Sequence, residues 1–110
     1  KIRGIVIASG VYKNTSKKAA QYSMEKIIGK KVGVRVLIVH HKKDKCKVTP
    51  FKYAKKFATT LDAPNKTFLS YDGGTPSGKP CGPLHHHGFE QMEKTVARDI
   101  AKWIIADVNK

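Results

Sequence analysis

The apolar residues of this chain fall into three short runs separated by stretches with a helical repeat. The runs lie at residues 2–9, 32–40 and 65–71, and the first two contain many β-branched residues with few polar interruptions. Near-continuous apolar runs of this length are typical of strands that are covered on both faces, as in a parallel sheet. The pattern therefore predicts two buried β-strands and a third, shorter strand at residues 65–71.

The stretch between the first two runs has apolar residues at helical spacing. Residues 14–31 read "NTSKKAAQYSMEKIIGKK", in which Thr15 or Ser16 can cap the start of a helix. Gly29 is a suitable terminator because glycine readily adopts the left-handed conformation that follows many helices. We expect one helix here.

Two further helices are predicted. In "TPFKYAKKFATTL", Thr49 can be the N-cap and Pro50 the first helical residue, where its missing N–H costs nothing. The last helix is predicted to begin at Phe89, because apolar side chains recur every three or four residues from there to Ile104.

This alternation of strands and helices predicts an α/β fold. We expect a parallel β-sheet of about three strands flanked by helices, in three αβα layers, formed by residues 1–110 as a single domain. In such sheets, ligand-binding and catalytic groups collect in the loops after the carboxyl ends of the strands. The loops at residues 40–50 and 72–88 contain all the histidines and both cysteines, so they are the candidate functional segments.

The chain is strongly basic. Twenty-two Lys and Arg residues against eight Asp and Glu residues give a formal net charge of +14. The charge is nearly all lysine, is spread over every segment and accompanies no known nucleic-acid-binding motif, so we expect no specific nucleic-acid partner. No apolar run approaches the length of a membrane-spanning helix, so no membrane span is expected.

Two segments resemble the C-terminal half of the α/β-hydrolase family. "VLIVHHKKDKCKVTPF" resembles the segment that carries the catalytic acid, and "HHHGFEQME" resembles the catalytic-histidine loop that leads into the final helix. Their order, acid before histidine with a helix and a strand between, matches that family. The resemblance implies the C-terminal portion of a serine hydrolase that cleaves an ester or related acyl bond in a small-molecule substrate, with no cofactor.

Carried over by position, the resemblance makes Asp44 the triad acid and His87 the base, since His87 directly precedes Gly88 and Phe89. A histidine in this role takes a proton from a serine hydroxyl and returns it to the leaving group. The carboxylate holds the imidazole in the required tautomer and stabilises its charged form. We therefore expect Asp44 and His87 to lie within hydrogen-bonding reach.

The chain departs from the family because it contains no G-x-S-x-G, the motif of the nucleophile elbow. The nucleophile is therefore unknown and not in this chain, and Ser9 is interpreted as structural. The resemblance therefore implies a fragment, a proteolytic product or one piece of a longer gene product, which we expect to be inactive by itself. The alternative is a small basic, non-catalytic binding module of the same architecture.

The other histidines have no counterpart in the family pattern. His40, His41, His85 and His86 could suggest a metal site, together with the cysteines. However, three consecutive histidines cannot readily bind one ion from a rigid scaffold, and neither CxxC nor HxxxH spacing occurs. We expect no native metal site.

Two expectations follow from the placement of these segments. If the acid and base loops meet, Cys46 and Cys81 are brought together and should form a disulfide, which implies a periplasmic or secreted protein; reduced cysteines would instead indicate a cytoplasmic one. The strand at residues 2–9 is apolar on both faces and has no preceding strand in this sequence to pair with. We expect self-association or pairing through it.

Overall fold

A computed structural model describes residues 2–12 and 23–108 of the chain. The elements are the strands β1 (Gly4–Ala8), β2 (Arg35–His41) and β3 (Lys66–Tyr71), the helices α1 (Met24–Ile27), α2 (Phe51–Thr60) and α3 (Glu93–Val108), and a 3-10 turn (His86–Gly88).

The three strands form one parallel sheet in the order β1-β2-β3. Val39 of β2 pairs with Ala8 on one side and Leu69 on the other, so β2 is the central strand. Together with the flanking helices, this arrangement confirms the predicted α/β fold.

The side chains of β2 explain why the sheet is covered on both faces. Residues Val36 to Val39 have no exposed surface, and successive side chains of a strand point to opposite faces. Val36 and Ile38 pack with Phe57 of α2, whereas Leu37 and Val39 pack with Val96 of α3. The sheet therefore lies between two helical layers, as the continuous apolar run predicted.

The α3 face is fixed by an interaction that ties the last helix to the start of β2. The Arg35 guanidinium lies 3.5 Å from the centroid of a Trp103 ring and donates a 2.6 Å hydrogen bond to the Trp103 carbonyl. A Cβ added at Gly4 would lie 3.1 Å from the same indole, so this part of β1 has little space for a larger residue.

The first helix is only partly described. The possible caps Thr15 and Ser16 lie outside the described residues, and the described part of the predicted helix is the four residues of α1. Gly29 has a φ of 75°, which agrees with its predicted role as the terminator.

The predicted start of α2 was wrong by one residue. Pro50 occupies the N-cap position, and α2 begins at Phe51. Thr49 is not the N-cap residue, and its hydroxyl lies between the Asp44 carboxylate, to which it donates, and Nδ1 of His87.

The predicted start of the last helix was also wrong. Phe89 and Gln91 have positive φ angles of 57° and 64°, which are incompatible with a continuing α-helix, and α3 begins at Glu93. Phe89 is buried against the sheet as the apolar pattern predicted, but it belongs to the turn before the helix.

Self-association through β1 remains a prediction, and the exposure of this strand supports it. Val6 of β1 is 37% exposed and Ile2, just before the strand, is 72% exposed, and within the described residues β1 pairs only with β2. Because an open apolar edge favours pairing with another chain, we expect concentration-dependent association in analytical ultracentrifugation. Val6→Lys should weaken it, whereas Thr59→Lys on the exposed side of α2 should not. A strictly monomeric wild-type chain at high concentration would contradict the prediction.

Candidate functional site

The loops that follow the strands meet at the carboxyl edge of the sheet. The Ser9 hydroxyl, just after β1, donates a 2.7 Å hydrogen bond to the main-chain carbonyl of His87. Cys46, after β2, is joined by a disulfide to Cys81, after β3. The two loops singled out in the sequence are therefore in contact, and the Ser9 hydroxyl adds a hydrogen bond from the end of β1 to the second of them.

Asp44 and His87 lie together at this edge. The Nδ1 atom of His87 is 3.1 Å from Oδ2 of Asp44, which confirms the predicted hydrogen-bonding distance. The carboxylate is fully buried, while the imidazole is 23% exposed. A buried acid beside a partly accessible ring is the arrangement that a catalytic acid and base require. Their catalytic roles remain predictions.

The Asp44 carboxylate is held by donors on both oxygens. Oδ1 accepts the N–H of Cys46 at 3.0 Å, and Oδ2 accepts the hydroxyl of Thr49 at 2.9 Å. Burial raises the pKa of Asp44, but hydrogen bonds from His40, His87, Cys46 and Thr49 outweigh it and hold the pKa well below its usual range. Asp44 is therefore a carboxylate at neutral pH.

These contacts determine the tautomer of His87. Since Asp44 is ionised and can only accept, the hydrogen between it and His87 belongs to Nδ1. Thr49 Oγ1 is also 2.9 Å from Nδ1, and its own hydrogen is directed to Asp44, so it can only accept from the ring. A neutral His87 then carries its lone pair on Nε2, the atom that a general base uses.

Two members of this site were missed in the sequence. Thr49 was interpreted as a helix cap, and no role was assigned to His40, whose Nε2 lies 3.0 Å from Asp44 Oδ2. The available signal was the proximity of both residues to the acid: His40 precedes Asp44 by four residues, and Thr49 follows it by five. Sequence distance alone does not show that both side chains turn toward the carboxylate.

The remaining histidines organise the loop after β3. Nδ1 of His41 accepts the N–H of Lys43 at 3.0 Å, and its Nε2 lies 2.8 Å from the carbonyl oxygen and 3.3 Å from the main-chain nitrogen of Gly73. The His86 ring stacks on His41 with 4.1 Å between centroids. Burial, and secondly the proximity of His41, lowers the pKa of His86, which favours its neutral form.

The residues after His87 keep this loop tightly folded. A Cβ added at Gly88 would overlap the main chain of Pro83, so only glycine fits at this position. Phe89 follows in the left-handed region and places its ring in the core beside Tyr71, with the two rings edge to face at 5.9 Å. The His-Gly-Phe segment thus fixes the backbone that carries the predicted base.

The disulfide between Cys46 and Cys81 is the pairing that the sequence predicted. It closes a loop of 35 residues that contains α2 and β3, and the two Cα atoms are 4.6 Å apart. A disulfide fits an oxidising compartment. No helix among the described residues has the length and apolar character needed to cross a membrane.

Within residues 2–12 and 23–108, no three His, Cys, Asp or Glu side chains are grouped so that they could hold a metal ion. Three lysines, Lys45, Lys47 and Lys79, line a shallow cleft of about 330 Å³ beside the disulfide. The surface beside the disulfide is therefore positively charged.

Comparison with family models, curated proteins and solved structures gave no match for this chain.

The disulfide should make a large contribution to stability. In the chain-entropy model, a loop of 35 residues gives about 4 kcal/mol, and we expect the Cys46→Ser/Cys81→Ser double variant to lose about that much free energy of unfolding. Urea unfolding followed by the fluorescence of Trp103 measures the loss. Reductant should destabilise the wild-type chain and leave the double variant unchanged. Uptake of two alkyl groups by the unfolded, unreduced wild-type chain would contradict the bridge.

Stability should fall in two acid ranges. The lowered pKa of His86 means that the unfolded chain binds its proton first, so stability begins to fall below about pH 6.5. The lowered pKa of Asp44 contributes stability above its unfolded pKa of about 4, which is lost as the pH falls toward the folded pKa.

Asp44→Asn isolates the second range. Because a charged acceptor is lost from a buried site, we expect the free energy of unfolding at pH 7 to fall by about 2 kcal/mol, and its decline below pH 4 to become shallower. Urea unfolding between pH 2 and pH 7 measures both effects, with Asp62→Asn as the exposed control. A variant with the wild-type pH profile would contradict the assignment.

Proposed function

We propose that this chain supplies the acid and base of a serine hydrolase that acts on a small-molecule ester or related acyl compound. Asp44 is the acid and His87 the base, and the nucleophilic serine belongs to a polypeptide segment outside this sequence. The observation that carries the proposal is the 3.1 Å contact between the buried Asp44 carboxylate and Nδ1 of His87.

The chemistry follows from the protonation states at the site. In the proposed reaction, Nε2 of His87 takes the proton of the serine hydroxyl as its oxygen attacks the acyl carbon. The resulting imidazolium is stabilised by the Asp44 carboxylate, which remains ionised at neutral pH. The proton then passes from Nε2 to the leaving oxygen or nitrogen, and water repeats the sequence to release the acid.

Ser9 is not the proposed nucleophile. Its hydroxyl hydrogen is directed to the main-chain carbonyl of His87 rather than to the ring. It also follows β1 in "IASG", which lacks the glycine pattern of a nucleophile elbow. The disulfide favours an exported protein, either periplasmic or secreted.

The proposal is tested on the polypeptide encoded by the complete open reading frame. A fluorophosphonate probe should label a serine in the wild-type protein, and His87→Ala should slow labelling and ester turnover by about 10,000-fold. His85→Ala is the matched control, because it removes the histidine two positions away and should leave both rates within about twofold.

Two results would contradict the hydrolase proposal. One is a reading frame that encodes no G-x-S-x-G, which would favour the basic binding module. The other is equal labelling of the wild-type and His87→Ala proteins, which would show that the reactive serine does not depend on this base.

A further inference from the structure

His40 is a fully buried polar residue that has no part in the proposed acid–base pair of Asp44 and His87. It lies near the end of β2 with no exposed surface, and its ring centroid is 6.0 Å from that of Tyr12 and 6.3 Å from that of Phe51. An imidazole among aromatic side chains costs free energy unless its nitrogen atoms are hydrogen-bonded. The partners of His40 therefore decide what it does.

One ring nitrogen makes both hydrogen bonds. Nε2 lies 3.0 Å from Asp44 Oδ2 and 2.7 Å from the main-chain carbonyl of Thr49, and both of those atoms are acceptors. The hydrogen must therefore be on Nε2. Nδ1 is buried without a hydrogen-bond partner, so a hydrogen there would be an unsatisfied donor. The contacts of the two nitrogens therefore favour a hydrogen on Nε2.

One oxygen of the Asp44 carboxylate accepts hydrogen bonds from His40, Thr49 and His87. Oδ2 of Asp44 lies 3.0 Å from His40 Nε2, 2.9 Å from Thr49 Oγ1 and 3.1 Å from His87 Nδ1. Since His40 also donates to the Thr49 carbonyl, it holds both the acid and the residue whose hydroxyl lies between the acid and the base.

We propose that His40 is a positioning residue: its Nε2–H fixes the Asp44 carboxylate in the orientation that holds His87 in the tautomer with hydrogen on Nδ1. Its catalytic meaning rests on the proposed hydrolase function, but the positioning itself is a property of this chain and can be measured without a nucleophile. The alternative is that His40 only fills space between the aromatic side chains.

Two substitutions separate positioning from packing. His40→Phe keeps a ring of similar shape but has no donor, whereas the terminal amide of His40→Gln can place an N–H near the position of Nε2. Two titratable side chains contact Asp44, namely His40 and His87. Each His40 variant therefore changes one of these contacts and leaves the His87 side chain in place. His85→Phe is the control, because His85 contacts the His86 ring rather than Asp44.

The measurements are carbon-13 NMR of the Asp44 carboxyl carbon and nitrogen-15 NMR of the histidine rings, both on this chain. In His40→Phe we expect the pKa of Asp44 to rise by about one unit and the Nδ1–H form of His87 to lose population. His40→Gln should restore at least half of each change, and His85→Phe should show neither. Unchanged Asp44 and His87 signals in a folded His40→Phe variant would overturn the proposal.

The wild-type chain provides a test that does not depend on whether a variant folds. Its nitrogen-15 spectrum should show His40 with hydrogen on Nε2 between pH 5 and pH 8, and a His40 ring without hydrogen on Nε2 would overturn the proposal. If the fluorophosphonate test fails while these NMR results hold, His40 positions a pair that is not catalytic. The failure of the proposed function is thus distinguishable from the failure of this inference.

Discussion

The buried charge of Asp44 is the constraint on which the architecture of this edge depends. A carboxylate without exposed surface is tolerated only when hydrogen-bond donors replace the water that it has lost. Here the donors come from three places along the chain: the end of β2, the loop before α2 and the turn before α3. One residue thus determines how the loops after two different strands must fold. The disulfide then joins the same two loops covalently.

The sheet was predictable because the signal for it lies within each segment. Arg35–His41 follows from a nearly continuous apolar run, and Leu37 and Ile38, which point to opposite faces, are both fully buried. The contact between Asp44 and His87 and the pairing of Cys46 with Cys81 were also predictable, because the carboxyl ends of parallel strands share one edge.

The details that sequence reasoning missed depend on contacts between segments. Thr49 has the residue type and position of a helix cap, but its hydroxyl makes a charge-assisted hydrogen bond to Asp44 and contacts the His87 ring, and both partners come from other segments. The helical repeat around Phe89 correctly predicted that this side chain is buried. It wrongly predicted that the backbone at Phe89 is helical. The spacing of apolar residues indicates which side chains are buried, but it does not indicate the φ angles of the backbone. The positive φ angles of Phe89 and Gln91 are imposed by the packing of the turn.

The hydrogen bond from Ser9 to the His87 carbonyl links the outer strand β1 to the loop that carries the proposed base. Ser9 follows directly on β1, its main-chain N–H donates to Val39 of the central strand, and its side chain holds the loop that carries the imidazole. The hydrogen bond of Ser9 therefore connects the β1 edge of the sheet with the main chain at His87. Any polypeptide that docked along β1 and shifted that strand would move the His87 backbone with it, without touching the ring.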